Sequence, residues 1–92
     1  MSRGTPERIR VTITEEDIQD GEAGDGAHCP IATALRRQYP QHEPFVTYYD
    51  ATLTAPGSML DCYWLSRRAR RFAVAFDQGR PVQPSAFILV LR

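Results

Sequence analysis

The stretch Ser66–Gly79 restricts the fold more than any other part of the chain. Ala69, Phe72, Ala73 and Phe76 recur at i, i+3, i+4 and i+7, so they share one face of a helix. A helix with one apolar stripe needs a second layer to cover it. Ser66 suits the N-cap and Gly79 the position just past the last turn. The stripe predicts a helix over Arg67–Gln78, and truncating Phe72 or Phe76 to alanine is then expected to cost roughly 3–5 kcal/mol. Arg67, Arg68, Arg70 and Arg71 must fan over its flanks and outer face.

The rest of the chain supplies the second layer. Residues 1–7 are polar, carry Gly4 and Pro6, and read as a frayed tail. Ile9, Val11 and Ile13 alternate with polar residues, the pattern of a half-buried strand. Thr14 and Asp17 form a capping-box pattern that opens a short helix or turn at Glu15–Asp20, ended by Gly21. Gly21–Ala27 is a glycine-rich loop. Cys29–Tyr39 reads as a helix with Pro30 at its first position, Arg36 and Arg37 at its negative end, and Pro40 as its stop. Pro40–Pro44 is a connector. Phe45–Thr54 is rich in β-formers, Ala55–Ser58 is a turn, and Met59–Leu65 returns as the second arm of a hairpin. After the Gly79–Pro84 loop, Ala86–Leu91 is a continuous apolar run, the mark of a central strand buried on both faces or nearly so.

The resulting order is βαββαβ. It predicts one α+β domain spanning residues 1–92. The expected form is a ferredoxin-like split βαβ sandwich, or a related four-stranded sheet with its helices on one face. A chain of 92 residues holds one modest core.

Formal net charge is zero, which argues against a protein whose main task is to coat nucleic acid. The charge is nevertheless segregated. Glu7, Glu15, Glu16, Asp17, Asp20, Glu22 and Asp25 make up seven of the 11 acidic residues and fall in the first 25 positions. Four of the 11 basic residues crowd into Arg67–Arg71, and every basic residue is arginine. No apolar run is long enough to cross a bilayer, and the first residues lack the apolar core of a signal peptide, so the expected location is the cytoplasm. Two cysteines, Cys29 and Cys62, are too few for a disulfide scaffold.

Five groups of residues are candidate sites. Cations in the first turns of a helix oppose its dipole, and Arg67/Arg70, Arg67/Arg71 and Arg68/Arg71 repel at helical spacing. Stability alone does not select such a cluster. Either these arginines pair internally with the acidic N-terminal segment or face solvent, or they form a surface for an acidic partner. Tyr48, Tyr49, Tyr63 and Trp64 gather on the expected hairpin. Alternation puts Tyr48 and Tyr63 on the opposite face from Tyr49 and Trp64; either one pair packs in the core and the other is available as interface anchors, or helices and loops cover both. Tyr48 and Tyr63 join the four arginines as the candidate partner-binding set.

Cys29 lies at a helix N-terminus beside His28, where a thiol can become reactive or can simply be buried. His28, Cys29, His42 and Cys62 lack the paired spacing of a zinc site, so no metal is expected. Asp50, Asp61 and Asp77 show no acid–base spacing. The glycine loop lacks a phosphate-cradling Gly-Lys-Ser/Thr and the ligand spacing of a calcium loop. No cofactor and no enzymatic activity are expected.

Three spaced patterns run through most of the chain: Ile13-Thr14-x-x-Asp17-Ile18-x-x-Gly21; Cys29-Pro30-Ile31-Ala32-x-Ala34-Leu35; and Phe72-x-x-x-Phe76-Asp77-x-Gly79-x-x-Val82-x-Pro84-x-x-Phe87. Together they resemble a family of small proteins carried by phages and prophages, a family without an assigned function. The resemblance implies no catalytic residues. It implies that Asp17, Gly21, Cys29, Pro30, Asp77 and Gly79 are fold-defining caps and turns, and that the protein acts by binding a host or defence protein. Two functions remain in view: a protein-binding module that modulates such a partner, and a nucleic-acid-binding module using Arg67, Arg68, Arg70 and Arg71, with Arg36 and Arg37 in support. Self-association through a free edge strand is also open.

Overall fold

The computed structural model describes residues 6–55 and 60–92. Residues 1–5 of the expected tail, residues 56–58 of the expected turn and Met59 of the expected strand lie outside the described residues. The elements are β1 (Arg8–Ile13), α1 (Glu15–Asp20), α2 (Pro30–Gln38), β2 (Glu43–Val46), β3 (Asp50–Thr54), β4 (Leu60–Trp64), α3 (Arg67–Asp77) and β5 (Ser85–Leu91). The last part of the expected tail is pinned: the Tyr63 hydroxyl donates to the Pro6 carbonyl at 2.9 Å, and the Leu91 N–H donates to Glu7 at 2.7 Å.

The strands form one five-stranded sheet in the order β1-β5-β4-β3-β2, with every pair antiparallel. The α+β class stands, but the four-stranded, ferredoxin-like arrangement does not form. A split βαβ keeps the first strand inside the sheet with a parallel neighbour, whereas here the first strand lies at an edge and no pair is parallel. The extra strand comes from Phe45–Thr54, which breaks in the middle. The Thr47 hydroxyl accepts the N–H groups of Tyr49 and Asp50, each at 3.0 Å, and the Thr47 N–H donates to the Asp50 carbonyl at 2.8 Å. This turn is built from a threonine side chain, with no glycine or proline to mark it.

β1 and β2 are the two edges of the sheet, yet α2 packs against both. A flat sheet of five strands is about 19 Å across. The sheet must therefore curl around this one short helix. Ile31, Ala32, Ala34 and Leu35 of α2 are fully buried, in one core cluster with Val11, Ile13, Ala51, Leu53, Tyr63 and Leu89 of the sheet. Pro30 begins α2 where a missing N–H costs nothing, and the Cys29 sulfur accepts the Ala32 N–H at 3.5 Å as the N-cap.

Polar contacts tie α2 to β1. Gln38 lies beside the unpaired edge of β1: its amide donates to the Arg10 carbonyl and accepts the Thr12 N–H, both at 2.8 Å. Arg37 Nη2 donates to the Thr12 carbonyl and to Asp17 Oδ2, both at 2.7 Å. Asp17 also completes the capping box with Thr14. Burial of Asp17 raises its pKa, but the bonds from Arg37 and Thr14 outweigh that effect and hold the carboxyl below its ordinary value.

The C-terminal strand departs from expectation. Phe87 and Leu89 face the core, but Ile88 and Val90 are 46% and 42% exposed. β5 is thus buried on one face only. Apolar residues on its outer face hide the alternation that the inner face obeys. Trp64 lies opposite Val90 on that outer face, and the Arg92 guanidinium sits 4.6 Å from the Trp64 ring centroid. No helix among the described residues is long and apolar enough to cross a membrane.

Candidate functional site

α3 begins as the sequence indicates, with the Ser66 hydroxyl accepting the Ala69 N–H at 3.2 Å. Its inner face is shorter than the periodicity suggests. Ala69 and Phe72 are buried, with Phe72 edge-on to Phe87 at 5.5 Å, while Ala73 and Phe76 are only partly covered. The expectation that Phe76 is core is therefore corrected. Its ring lines an open cleft.

The opposite flank of α3 forms a second, wider groove of about 670 Å³, lined by Arg67, Arg70, Arg71 and Arg80 with Tyr48 and Tyr49. Arg80 is absent from the sequence-based set. Gly79 brings it there. With φ at +77°, Gly79 lets the Arg80 N–H bond to the Ala75 carbonyl at 2.9 Å while its own N–H bonds to Phe76 at 3.0 Å. That is a Schellman ending, and it folds the residue after the glycine back along the helix. The signal was in the sequence: a glycine stop places the following side chain beside the last turn.

The tyrosines come from the Thr47 turn. The Leu65 N–H holds the Tyr49 carbonyl at 2.9 Å, and the Tyr48 hydroxyl donates to Asp77 Oδ2 at 2.6 Å. The turn is thereby fixed against both ends of α3. The bond to Asp77 keeps the Tyr48 phenol above its ordinary pKa. The Arg70 guanidinium lies 5.9 Å from the Tyr49 ring centroid. Tyr48 and Tyr49 are 46% and 63% exposed.

The acidic N-terminal segment is not the partner of these arginines. Asp17 pairs with Arg37, and Asp25 with His28 at 3.0 Å. Among the described residues, Arg67, Arg70, Arg71 and Arg80 have no carboxylate within ion-pair distance. The remaining positions, 1–5 and 56–59, contain no acidic residue. Asp77, the one acid on α3, is held by Tyr48 and by the Gly24 N–H at 2.9 Å.

Two members of the expected set lie elsewhere. Tyr63 is 2% exposed and points into the core, so its assignment to partner binding is corrected; the alternation holds for Tyr63 and Trp64 but not for Tyr48 and Tyr49, which lie in the turn between β2 and β3 and are both exposed. Arg68 leaves the groove and lies over the Phe87 ring, 5.5 Å from its centroid. Arg36 and Arg37 are engaged with Ala27, Glu43, Asp17 and Thr12 and do not join the cluster.

The open cleft under Phe76 measures about 300 Å³. Its walls are Pro30 and Ile31 at the start of α2, Phe45 and Val46 of β2, and Phe72 and Phe76 of α3. The Gly24–Gly26 loop closes one side, where Gly26 approaches so near that a Cβ would stand 2.5 Å from the Val46 carbonyl oxygen. Asp25 and Asp77 stand on the rim, and Tyr48 lines both cleft and groove.

Cys29 lines the cleft as well. Burial pushes its thiol up, favouring the protonated, unreactive form over a nucleophile. His28, Cys29, His42 and Cys62 are not brought together, and no cluster of three or more potential metal ligands occurs among the described residues. Asp50 is paired with Arg92 at 3.3 Å. The residues singled out as caps and turns take those positions: Asp17 in the capping box, Gly21 and Cys29 as caps, Pro30 at a first turn, Asp77 and Gly79 at the end of α3.

Comparison of the chain with family models, with curated proteins and with solved structures found no match in any of the three.

Proposed function

We propose that this chain is a non-enzymatic binding module that grips an acidic protein surface with Arg67, Arg70, Arg71 and Arg80, framed by Tyr48 and Tyr49. The observation that carries this reading is a groove lined by four arginines, without a carboxylate partner among the described residues, and by two exposed tyrosines. Three of them stand in the first turns of α3, against the helix dipole, where they weaken the helix rather than support it. Arginine forks and tyrosine rings are favoured anchors at protein interfaces, since they give large contact area and bidentate bonds to carboxylates. In the phage or prophage setting that the resemblance implies, the acidic surface would belong to a host or defence protein whose action the module modulates inside the cytoplasm.

One contact favours a second reading. The Arg70–Tyr49 pair offers a cation and a stacking ring side by side, which also suits a nucleic-acid strand. Zero net charge weighs against it. Titration with polyglutamate and with single-stranded and duplex oligonucleotides, at about 50 and 200 mM salt, separates the two. The protein reading expects polyglutamate binding that is lost in the combined Arg67→Gln, Arg70→Gln, Arg71→Gln variant. Tighter oligonucleotide binding that falls by orders of magnitude between those salt concentrations would replace it with the nucleic-acid reading.

A further inference from the structure

The cleft and the arginine groove are neighbours, and their common wall has a polarity. α3 turns Phe72, Ala73 and Phe76 toward the cleft and Arg67, Arg70 and Arg71 toward the groove, while Tyr48 borders both. The cleft is apolar, open to the surface, and about 300 Å³, the lower limit of ligand pockets. That is small for a cofactor and suited to one large side chain. Asp25 and Asp77 stand on its rim, each already engaged, by His28 and by Tyr48 and Gly24 respectively. Those carboxylates repel acidic groups at the cleft, whereas the guanidiniums attract them in the groove.

We infer that the groove and the cleft together form a two-part docking site for one peptide segment of a partner protein: a large apolar side chain enters the cleft, and acidic residues lying only to one side of it meet Arg67, Arg70, Arg71 and Arg80. This rests on the acidic-partner reading above and adds the anchor and the spacing. Crossing from one flank of a helix to the other takes about 10 Å. An extended chain covers that in about three residues. The acids therefore begin about three positions from the anchor. The fixed turn at Thr47, held by Tyr48 to Asp77, keeps the wall between the two parts in place before the peptide arrives.

The test uses the full chain and two pairs of synthetic peptides. Each carries a run of glutamates and, about three residues from it, either phenylalanine or alanine; one pair has the anchor before the acids and the other after. Titration calorimetry should show the phenylalanine peptide of one pair binding at least about tenfold tighter than its alanine counterpart. Ala73→Leu fills the cleft, and in that variant the difference should vanish while alanine-peptide binding persists. Equal affinity of the phenylalanine and alanine peptides for the native chain, in both pairs, overturns the anchor while leaving the acidic groove standing. No binding of any peptide overturns the acidic-partner reading itself. A single-stranded oligonucleotide of equal charge that outcompetes the phenylalanine peptide overturns both in favour of nucleic acid. The peptide pairs on the native chain decide the matter even if Ala73→Leu does not fold.

Discussion

α2 and α3 look alike in sequence and behave differently in the fold. Each has an N-cap side chain that accepts the N–H three residues on, an apolar stripe, and adjacent arginines. α2 buries Pro30, Ile31, Ala32, Ala34 and Leu35 and is wrapped by the curled sheet; α3 buries only Ala69 and Phe72. The arginines differ in the same sense. Arg36 and Arg37 sit in the last turn of α2, where the dipole favours them, and both find protein partners. Arg67, Arg68, Arg70 and Arg71 sit in the first turns of α3, where the dipole opposes them. None of these four has a carboxylate partner among the described residues. Placement of charge relative to the helix axis thus separates a helix that holds the fold from one that presents a surface.

The largest effect should come from the cores of the two helices. Leu35→Ala empties a fully enclosed site and should cost about 3–4 kcal/mol. Phe76→Ala truncates a ring that already faces an open cleft and should cost well under half as much, despite removing more atoms. Urea unfolding of both variants would break the comparison if Phe76→Ala were the more damaging. A smaller effect should follow from the clamp that fixes α1 and α2. Asp17→Ala removes the capping box and the Arg37 bond, at about 2–3 kcal/mol. Because the folded-state pKa of Asp17 is depressed, its contribution is fully present above the ordinary carboxylate value, about 4. It is lost as pH falls through the lower folded value. The gap in Tm between native chain and variant should therefore be constant near neutrality and narrow below about pH 4; a gap unchanged by acid would remove Asp17 from the account. Smallest of all, Arg70→Gln with Arg71→Gln should leave stability within about 0.5 kcal/mol of the native chain, or raise it slightly. A marked loss of stability would mean that these arginines serve the fold after all.

Local chemistry was legible in the sequence, and long-range placement was not. The Thr14–Asp17 box, Pro30 at a first turn and Gly79 as a stop each depend on a few consecutive residues, and each forms. The Thr47 turn escaped detection because Phe45–Thr54 offers β-formers on both sides and the turn uses only a hydroxyl. Alternation set Tyr63 and Trp64 on opposite faces but could not say which face was inward. The outer face of β5 carries Ile88 and Val90, so its run read as doubly buried. At the site, Arg67, Arg70, Arg71 and Tyr48 were found from charge and aromatic clustering. Alternation separates Tyr49 from Tyr48 and so hides its place in the groove, and charge clustering does not reach Arg80, whose position follows from the Gly79 ending.

Gln38 has a consequence beyond its two bonds. A backbone that exposes alternating donors and acceptors along a sheet margin invites another chain to add a strand, the first step toward fibrous aggregates. The amide of Gln38 has the same donor and acceptor as a peptide group, and it meets β1 at Arg10 and Thr12 as a neighbouring strand would. One side chain thus stands in for a missing sixth strand along that margin. A second copy seeking to extend the sheet there would first have to displace it, so growth of the molecule by strand addition is discouraged where its curled wall would otherwise lie open.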